Sequence, residues 1–569
     1  MKQTKLILIA AILTSTLFWS CKKSAELTNV IPSDAVVVIH VDTKSLLTKA
    51  DYKPLENKLI KEALEKEKNK GSERNKAVFE KMEEFLKNPN SSGIDLINDC
   101  YIYTGNTSSG IIWGMKDADK FKETLTKTFD LPAEMIKEED GISSIDLSSM
   151  AKVGWTKDKM LIITAPASSI YGLGYSDGSN LMELLKKQLK QTEKESINSN
   201  KAFTEFVNDK KDISVFYSYN NVADLWGKMA SQMSGAYEEE STPAVTGVFG
   251  KLGDQVKGVN VAGFISFEKG EIVAENKFYY DTPEDEKRFT ELAGKMTREI
   301  KGDQMKFIAE KPLFLASMGV NGEGIYSYLT DLGIIRLFED MIGSDDLQAM
   351  GIDMKSLISN VDGDITFSLN EVKTTMIKSE YGDYEYPSSD PIFSVFADLK
   401  DAKSTWSLIK NKVKETAAKN EIPDSTLVEI DENTYSFNMG ERIKGYAGIK
   451  GNTIYITNSE TIYKNISTAT DGKNDFASLA QGKTSFIFGN LSSLKSMLTD
   501  EFKHDAKAAE LATKVFDLLG DYSFVSDKNM QGKGKVVIND NSANSLAVIC
   551  KYIDSVITHA IEDEMQESY

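Results

Sequence analysis

Three short patterns in the sequence have residue types that do chemistry elsewhere. Gly174-Tyr175-Ser176-Asp177-Gly178 fits G-x-S-x-G, in which a strained strand-to-helix turn presents a nucleophilic serine for hydrolysis. That motif needs a strand before it. Here a short helix start, Ala167–Tyr171, and then Gly172 precede it, so the local pattern predicts a glycine-rich loop with Ser179 capping the next helix. Ser492-Ser493-Leu494-Lys495 fits S-x-x-K, and Lys483-Thr484-Ser485 is close to K-T-G, but in acylating enzymes of that kind S-x-x-K comes first. Ser492 also falls where a helix cap is expected. Asn360, Asp362, Asp364 and Glu371 stand at positions 1, 3, 5 and 12 of a calcium loop, yet Ile365 holds the position 6 that requires glycine. Asp362-Gly363 is therefore read as a turn before a strand, Ile365–Leu369. The three histidines, His40, His504 and His559, have no second histidine at helical spacing and no neighbouring nucleophile in sequence, and are read as structural. There is no Cys-x-x-Cys and no phosphate-binding glycine motif. These patterns assign no catalytic residue, no cofactor and no metal ligand. An unrecognised acid pair, or Ser176 itself, keeps an envelope hydrolase as the alternative.

Cys21 carries the clearest chemical signal. Lys2 and Lys5 open the chain, Leu6 to Trp19 is an uncharged and mostly apolar run, and Ser20 is small. A positive start, a short apolar run and a small residue at the cut form an export signal, and the run is too short to span a bilayer, which takes about 20 apolar residues. A cysteine directly after the cut resembles a bacterial lipoprotein signal, whose thiol takes a diacylglycerol. The expectation is a signal peptide over 1–20 and a lipid-anchored tether over 21–30, with each buried acyl CH₂ contributing about 0.8 kcal/mol. Ordinary secretion with Cys21 incidental is the other reading. Surface-exported lipoproteins of the kind this signal resembles often carry an acidic run after the cysteine, whereas Lys22-Lys23-Ser24-Ala25-Glu26 follows here, so the resemblance implies a periplasm-facing anchor at the outer or inner membrane.

Charge narrows the partners. The chain carries −19, and without the two leader lysines about −21. Such a surface repels phosphate backbones, so no nucleic acid is expected, and it has no pull toward anionic lipid, leaving the acyl anchor as the membrane attachment. Cys100 and Cys550, the other two cysteines, are read as separate buried thiols; a single disulfide is the alternative for an exported chain.

The elements that must carry these residues repeat. A strand running into a polar turn and a helix start occurs at Ala35–Leu47, Ile213–Trp226, Pro312–Leu329 and Thr484–Leu498. A second strand follows three of the helices, at Asn98-Asp99-Cys100-Tyr101, Gly363-Asp364-Ile365-Thr366 and Gly520-Asp521-Tyr522-Ser523. Gly110–Leu125 then matches Pro391–Ile409, both with Lys-Asp-Ala after the strand. Between copies, Lys152–Thr164 corresponds to Lys444–Thr457. The unit is strand–helix–strand–strand–helix. The expected fold is α+β: tandem duplicated halves, 31–300 and 301–569, each of two units, with mixed, mostly antiparallel sheets and helices packed on one face. Trp113 and Trp155 fall in strands and Trp226 and Trp406 at helix starts, read as core packing, with a sugar-stacking platform as the alternative for one of them. Tyr381–Ser389 is read as a polar aromatic loop.

The run Ile31-Pro32-Ser33-Asp34-Ala35-Val36-Val37-Val38-Ile39-His40-Val41-Asp42, close behind the leader, resembles an uncharacterised lipoprotein family of Bacteroidetes, domain of unknown function 4836. The resemblance covers nearly the whole chain after the leader. It implies an envelope lipoprotein and supplies no catalytic or binding residue. The expectation is a lipid-anchored cell-envelope protein with a non-enzymatic binding or scaffold role, its partners the membrane and other envelope proteins or a glycan. A glycan-capture lipoprotein is the further alternative, although those are built from helical repeats and this chain is rich in strands.

Overall fold

A computed structural model describes residues 27–555 apart from short breaks, the longest being 167–179, 224–241, 343–352 and 496–505. Residues 1–20, Cys21, Ser176, Trp226, His504 and His559 lie outside the described residues. Contacts divide the chain into two units. One runs to Glu286 and resumes at Asp540; the other is Lys287–Asn539.

The β-branched and aromatic runs of the first unit form β1 (Ala35–Val41), β2 (Ile94–Asp95), β3 (Cys100–Gly105), β4 (Ser109–Met115), β5 (Ile136–Glu139), β6 (Ile142–Ser148), β7 (Ala151–Trp155), β8 (Lys159–Thr164), β9 (Ile213–Ser218), β10 (Val259–Glu268) and β11 (Glu271–Tyr280). They pair antiparallel in the order β5-β6-β7-β8-β4-β3-β1-β9-β10-β11, with the two-residue β2 also beside β4. The second unit contributes β12 (Phe314–Asn321), β13 (Val361–Lys378), β14 (Glu385–Leu399), β15 (Leu427–Asp431), β16 (Thr434–Met439), β17 (Ile443–Lys450), β18 (Thr453–Thr457), β19 (Ser485–Asn490), β20 (Leu519–Ser526) and β21 (Gly532–Ile538). Their order is β15-β16-β17-β18-β14-β13-β12-β19-β20-β21, again antiparallel.

The two orders are the same, position for position, and so are registers within them. Tyr101 faces Ile112, and Ile112 faces Leu161, across β3, β4 and β8; Thr366 faces Phe396, and Phe396 faces Tyr455, across β13, β14 and β18. The fold is α+β with antiparallel sheets. An aspartate after a strand caps the next helix repeatedly. Asp42 accepts from Ser45 N ahead of Thr43–Ala50, Asp117 from Lys120 N ahead of Ala118–Glu123, and Asp401 from Ser404 N ahead of Ala402–Lys419.

Period-two burial explains how each sheet makes its core. Along β1 the residues Val38 and His40 are buried while Val37 and Ile39 are half-buried. Tyr101, Tyr103, Ile112 and Leu161 share one face with Val38 and pack under helices Leu181–Lys190 and Lys201–Asp209, whose Leu185, Phe203 and Phe206 are wholly buried. The opposite face is covered toward one end by helix Ala118–Glu123, where Phe121 meets Trp155 edge-on at 5.0 Å. The second unit has a matching pair of clusters, one around Phe396, Tyr455 and Phe486 and one around Trp406 and Tyr435.

Three local expectations are corrected. Asp362-Gly363 is no turn: β13 runs continuously from Val361, and the register shift between Val361 and Ile365, with Gly363 at φ 139°, is a bulge. Tyr381–Ser389 is not wholly a loop, because β14 begins at Glu385 and pairs Ser388 with Thr375 and Ser389 with Thr374. Ser492 does not cap as expected: its Oγ donates to Asn490 Oδ1 at 2.9 Å, and that oxygen also accepts from Ser493 N at 3.1 Å, while most of the segment that follows lies outside the described residues.

Candidate functional site

Two buried polar clusters occupy corresponding places in the two units. In the first, β1 carries His40 between Tyr101 of β3 and Ser214 of β9. A histidine in a strand of β-branched residues points the same way as Val38, into the core, and His40 is wholly buried. Its Nε2 meets Asp99 Oδ1 at 3.0 Å, and Lys210 Nζ donates to Asp99 Oδ2 at 2.6 Å. Burial pushes the Asp99 carboxyl up, but the hydrogen bonds and positive charge of His40 and Lys210 outweigh it and hold the carboxyl down at about 2. His40 Nδ1 has no hydrogen-bond partner among the described residues. The neighbouring Cys100 thiol is pushed up to about 12 by burial and by the Asp99 charge, which keeps it protonated and poorly nucleophilic.

In the second unit the position of Asp99 is held by Asp364, the residue before Ile365 at the start of the matching strand pairing. Asp364 is wholly buried. Its carboxylate accepts from Lys301 N at 3.1 Å and from Gly302 N at 2.8 Å. Burial raises its carboxyl above the usual range, against the pull of those two N–H groups. Gln304 bridges the cluster. Its Nε2 donates to the Asp364 carbonyl oxygen at 2.9 Å and to Asp398 Oδ1 at 2.8 Å, while Thr453 Oγ1 donates to the same Asp398 oxygen at 2.6 Å. A cleft of about 350 Å³ opens beside this cluster, lined by Gln304, Phe307, Phe396, Lys450, Thr453 and Tyr455 among others.

The residues singled out in sequence are scattered by the fold. Asp362 pairs with Arg298 at 3.1 Å; Asn360 accepts from Asp401 N and donates to Thr405; Glu371 is exposed on β13. They do not converge as a calcium loop would require. Among the described residues no three His, Cys, Asp or Glu side chains gather as a metal site. Cys100 and Cys550 are free thiols. Trp113, Trp155 and Trp406 are buried, with Trp406 Nε1 donating to the Glu432 carbonyl oxygen at 3.3 Å, so none presents a ring face to a sugar. Sequence reasoning missed Lys210, Gln304 and Asp398. The alignment of Asn98-Asp99 with Gly363-Asp364 was a signal for the aspartate position in each cluster. No described helix is long and apolar enough to cross a membrane.

A family model described as "Domain of unknown function (DUF4836)" matches residues 27–546. No curated protein matches the chain. Among solved structures, "Structure of crystal form IV of TP0453" is 9% identical with a TM-score of 0.22, covering 45% of this chain and 83% of that one. "Structure of crystal form III of TP0453" is 7% identical with a TM-score of 0.21, covering 48% and 88%. Likeness at that level carries no argument about this chain.

Proposed function

Because the chain belongs to the DUF4836 family, whose description assigns no activity, we propose its role from its own residues: a cell-envelope lipoprotein of the Bacteroidetes kind, exported by residues 1–20, held by an acylated Cys21 and facing the periplasm, where it binds or scaffolds rather than catalyses. The observation that carries this reading is Cys21 directly behind a short apolar leader. The body supports the non-catalytic half. His40 is enclosed with Asp99, the Cys100 thiol is kept protonated, and Ser492 is turned onto Asn490, so each is engaged in holding the fold. The matching strand orders of the two units support reading 31–300 and 301–569 as copies of one design; a sequence profile of either half that fails to find the other would count against it.

Intact-mass measurement on the full chain from the membrane fraction tests the anchor. The expected product starts at Cys21 and carries diacylglycerol and fatty-acyl mass, and Cys21→Ala leaves the leader on. A native product with an unmodified Cys21 overturns the reading. Protease treatment of whole cells tests the facing, with protection expected.

A further inference from the structure

The chain between Cys21 and the fold sets how far the first unit can stand from an anchored thiol. Leu27 is buried, and Val30 and Ile31 wholly so, in one core cluster with Leu185 and Leu189. The segment is also latched. Gln191 Nε2 donates to the carbonyl oxygens of Asn29 at 2.6 Å and Ile31 at 3.0 Å, and Asn198 Nδ2 donates to Thr28 Oγ1 at 2.8 Å and Asn29 Oδ1 at 2.7 Å. The fold therefore holds the chain from Leu27 onward, and the steps from Cys21 to Leu27 reach at most about 20 Å however they run.

From Leu27 the chain enters β1 at Ala35. At that end of the sheet one row runs across the strands: Tyr217 faces Val37, Val37 faces Thr104, Thr104 faces Ser109, Ser109 faces Thr164, and Thr164 faces Ala151. The turn from β6 to β7 lies at this end, and it carries Leu147, 37% exposed, and Met150, 48% exposed. Lys152 fixes that turn and neutralises its carboxylate, donating from Nζ to Asp146 Oδ1 and to the Ser148 carbonyl oxygen, both at 2.6 Å. Tyr217, 41% exposed, stands in the same row, and the turn from β3 to β4, Asn106-Thr107-Ser108, is uncharged. Asp281 and Glu284 follow β11, the last strand of the order, on the other side of the sheet. The opposite end of the strands has charged turns instead: Glu139-Asp140, Lys157-Asp158 and Glu268-Lys269.

We propose that the Ala35 end of the first unit rests on the lipid bilayer, with Leu147 and Met150 entering the boundary between headgroups and acyl chains. An apolar turn beside an uncharged one suits that layer, and the charged turns of the opposite end do not. The short tether supplies proximity and the turn supplies contact, so the negative net charge of the chain is no obstacle. This inference rests on the anchored role proposed above. An unmodified Cys21 sinks both, whereas an acylated chain that stands on another face sinks this one alone.

Quenching of a site-specific dye on the acylated full chain in phosphatidylethanolamine vesicles decides it. A bimane label is attached at Ser149→Cys in the turn, or at Lys269→Cys at the opposite end, each in a Cys550→Ser background that leaves only the buried Cys100 thiol. Val261 pairs with Tyr217 in the row, so Lys269 lies roughly 25 Å further along the strand direction. Lipids with a nitroxide on the headgroup quench at short range, and the label at 149 is quenched at least about threefold more than the label at 269 across that distance. Leu147→Glu with Met150→Glu, exposed changes that leave the fold intact by circular dichroism, cuts the quenching at 149 about threefold, because a carboxylate is costly in the apolar layer. Equal or stronger quenching at 269, or quenching at 149 that survives both glutamates, overturns the proposal.

Discussion

Replacing Asp99 by asparagine should cost the first unit about 2 kcal/mol at neutral pH, and that cost should fade in acid. The magnitude follows from the depressed carboxyl. Asp99 falls from 3.8 to about 2 on folding, with side-chain exposure of only 19%, and each pKa unit corresponds to about 1.4 kcal/mol of preference for the charged form. A carboxyl depressed in the fold stabilises the fold above its unfolded pKa. That contribution is whole above about pH 4 and is lost as pH falls through about 2. Asparagine keeps the shape but has no charge for Lys210 or His40, so the variant lacks the contribution at every pH. Urea unfolding followed by tryptophan emission measures the gap. A Trp406→Phe background removes the described tryptophan of the second unit and leaves Trp113 and Trp155 to report the first. With slopes of roughly 1–3 kcal/mol per M, the midpoint should drop by about 1 M at pH 7 and much less near pH 2.5. A gap that stays constant between those two pH values, or widens in acid, refutes the reasoning.

Three other outcomes are expected. Gly93→Ala should destabilise the first unit by about 1–3 kcal/mol in the same urea assay, because Gly93 sits at φ 88° and a Cβ there would lie 2.5 Å from the Asp117 carbonyl oxygen and from Phe121 N; an unchanged midpoint counts against it. Asp401→Ala should lower the urea midpoint of the second unit through loss of the bond from Ser404 N, and Asp401→Asn should restore most of it; equal losses for both substitutions would remove the cap as the cause. Cys100, with its thiol pushed up to about 12, should resist iodoacetamide at pH 8 until urea unfolds the first unit, and mass spectrometry of labelled peptides reads this directly; fast labelling of the native chain would show the burial to be misjudged.

What the sequence reveals here is what a local window can hold. Alternation in Ala35–Val41, the aspartate caps at Asp42, Asp117 and Asp401, and the hairpin Lys152–Thr164 each sit within one short stretch of chain, and all are visible as periodicity or cap chemistry. The bulge at Asp362-Gly363 escaped because a turn and a bulge use the same residues, and only pairing with β12 and β14 separates them. The polar clusters escaped for a different reason. Lys210 reaches Asp99 across 111 residues, and Gln304 reaches Asp398 across 94, so no spacing rule joins them. Lys210 reads as a surface charge and Gln304 as a loop residue until the sheet order brings β1, β3 and β9, or β12, β13 and β14, side by side.

The matching sheets make a comparison possible inside one chain. Asp99 and Asp364 start corresponding strand pairings, yet their surroundings push them in opposite directions. Asp99 is held ionised by a lysine and a histidine, while Asp364 has two backbone N–H groups that do not overcome burial. A raised carboxyl destabilises the fold while it is charged and ceases to do so once acid protonates it, so falling pH relieves the second unit at Asp364 and weakens the first at Asp99. One backbone plan therefore supports two electrostatic outcomes. The difference arises from partners on strands and on loops alike: His40 of β1 and Lys210 ahead of β9 in one case, Asp398 of β14 with Lys301 and Gly302 ahead of β12 in the other. Strand order fixes where a carboxyl must sit, and the side chains that neighbouring strands and connecting segments bring to it decide what that carboxyl does. It follows that functional differences between the two units are to be sought in the residues around these two carboxyls, His40 and Lys210 in one unit and Asp398, Lys301 and Gln304 in the other.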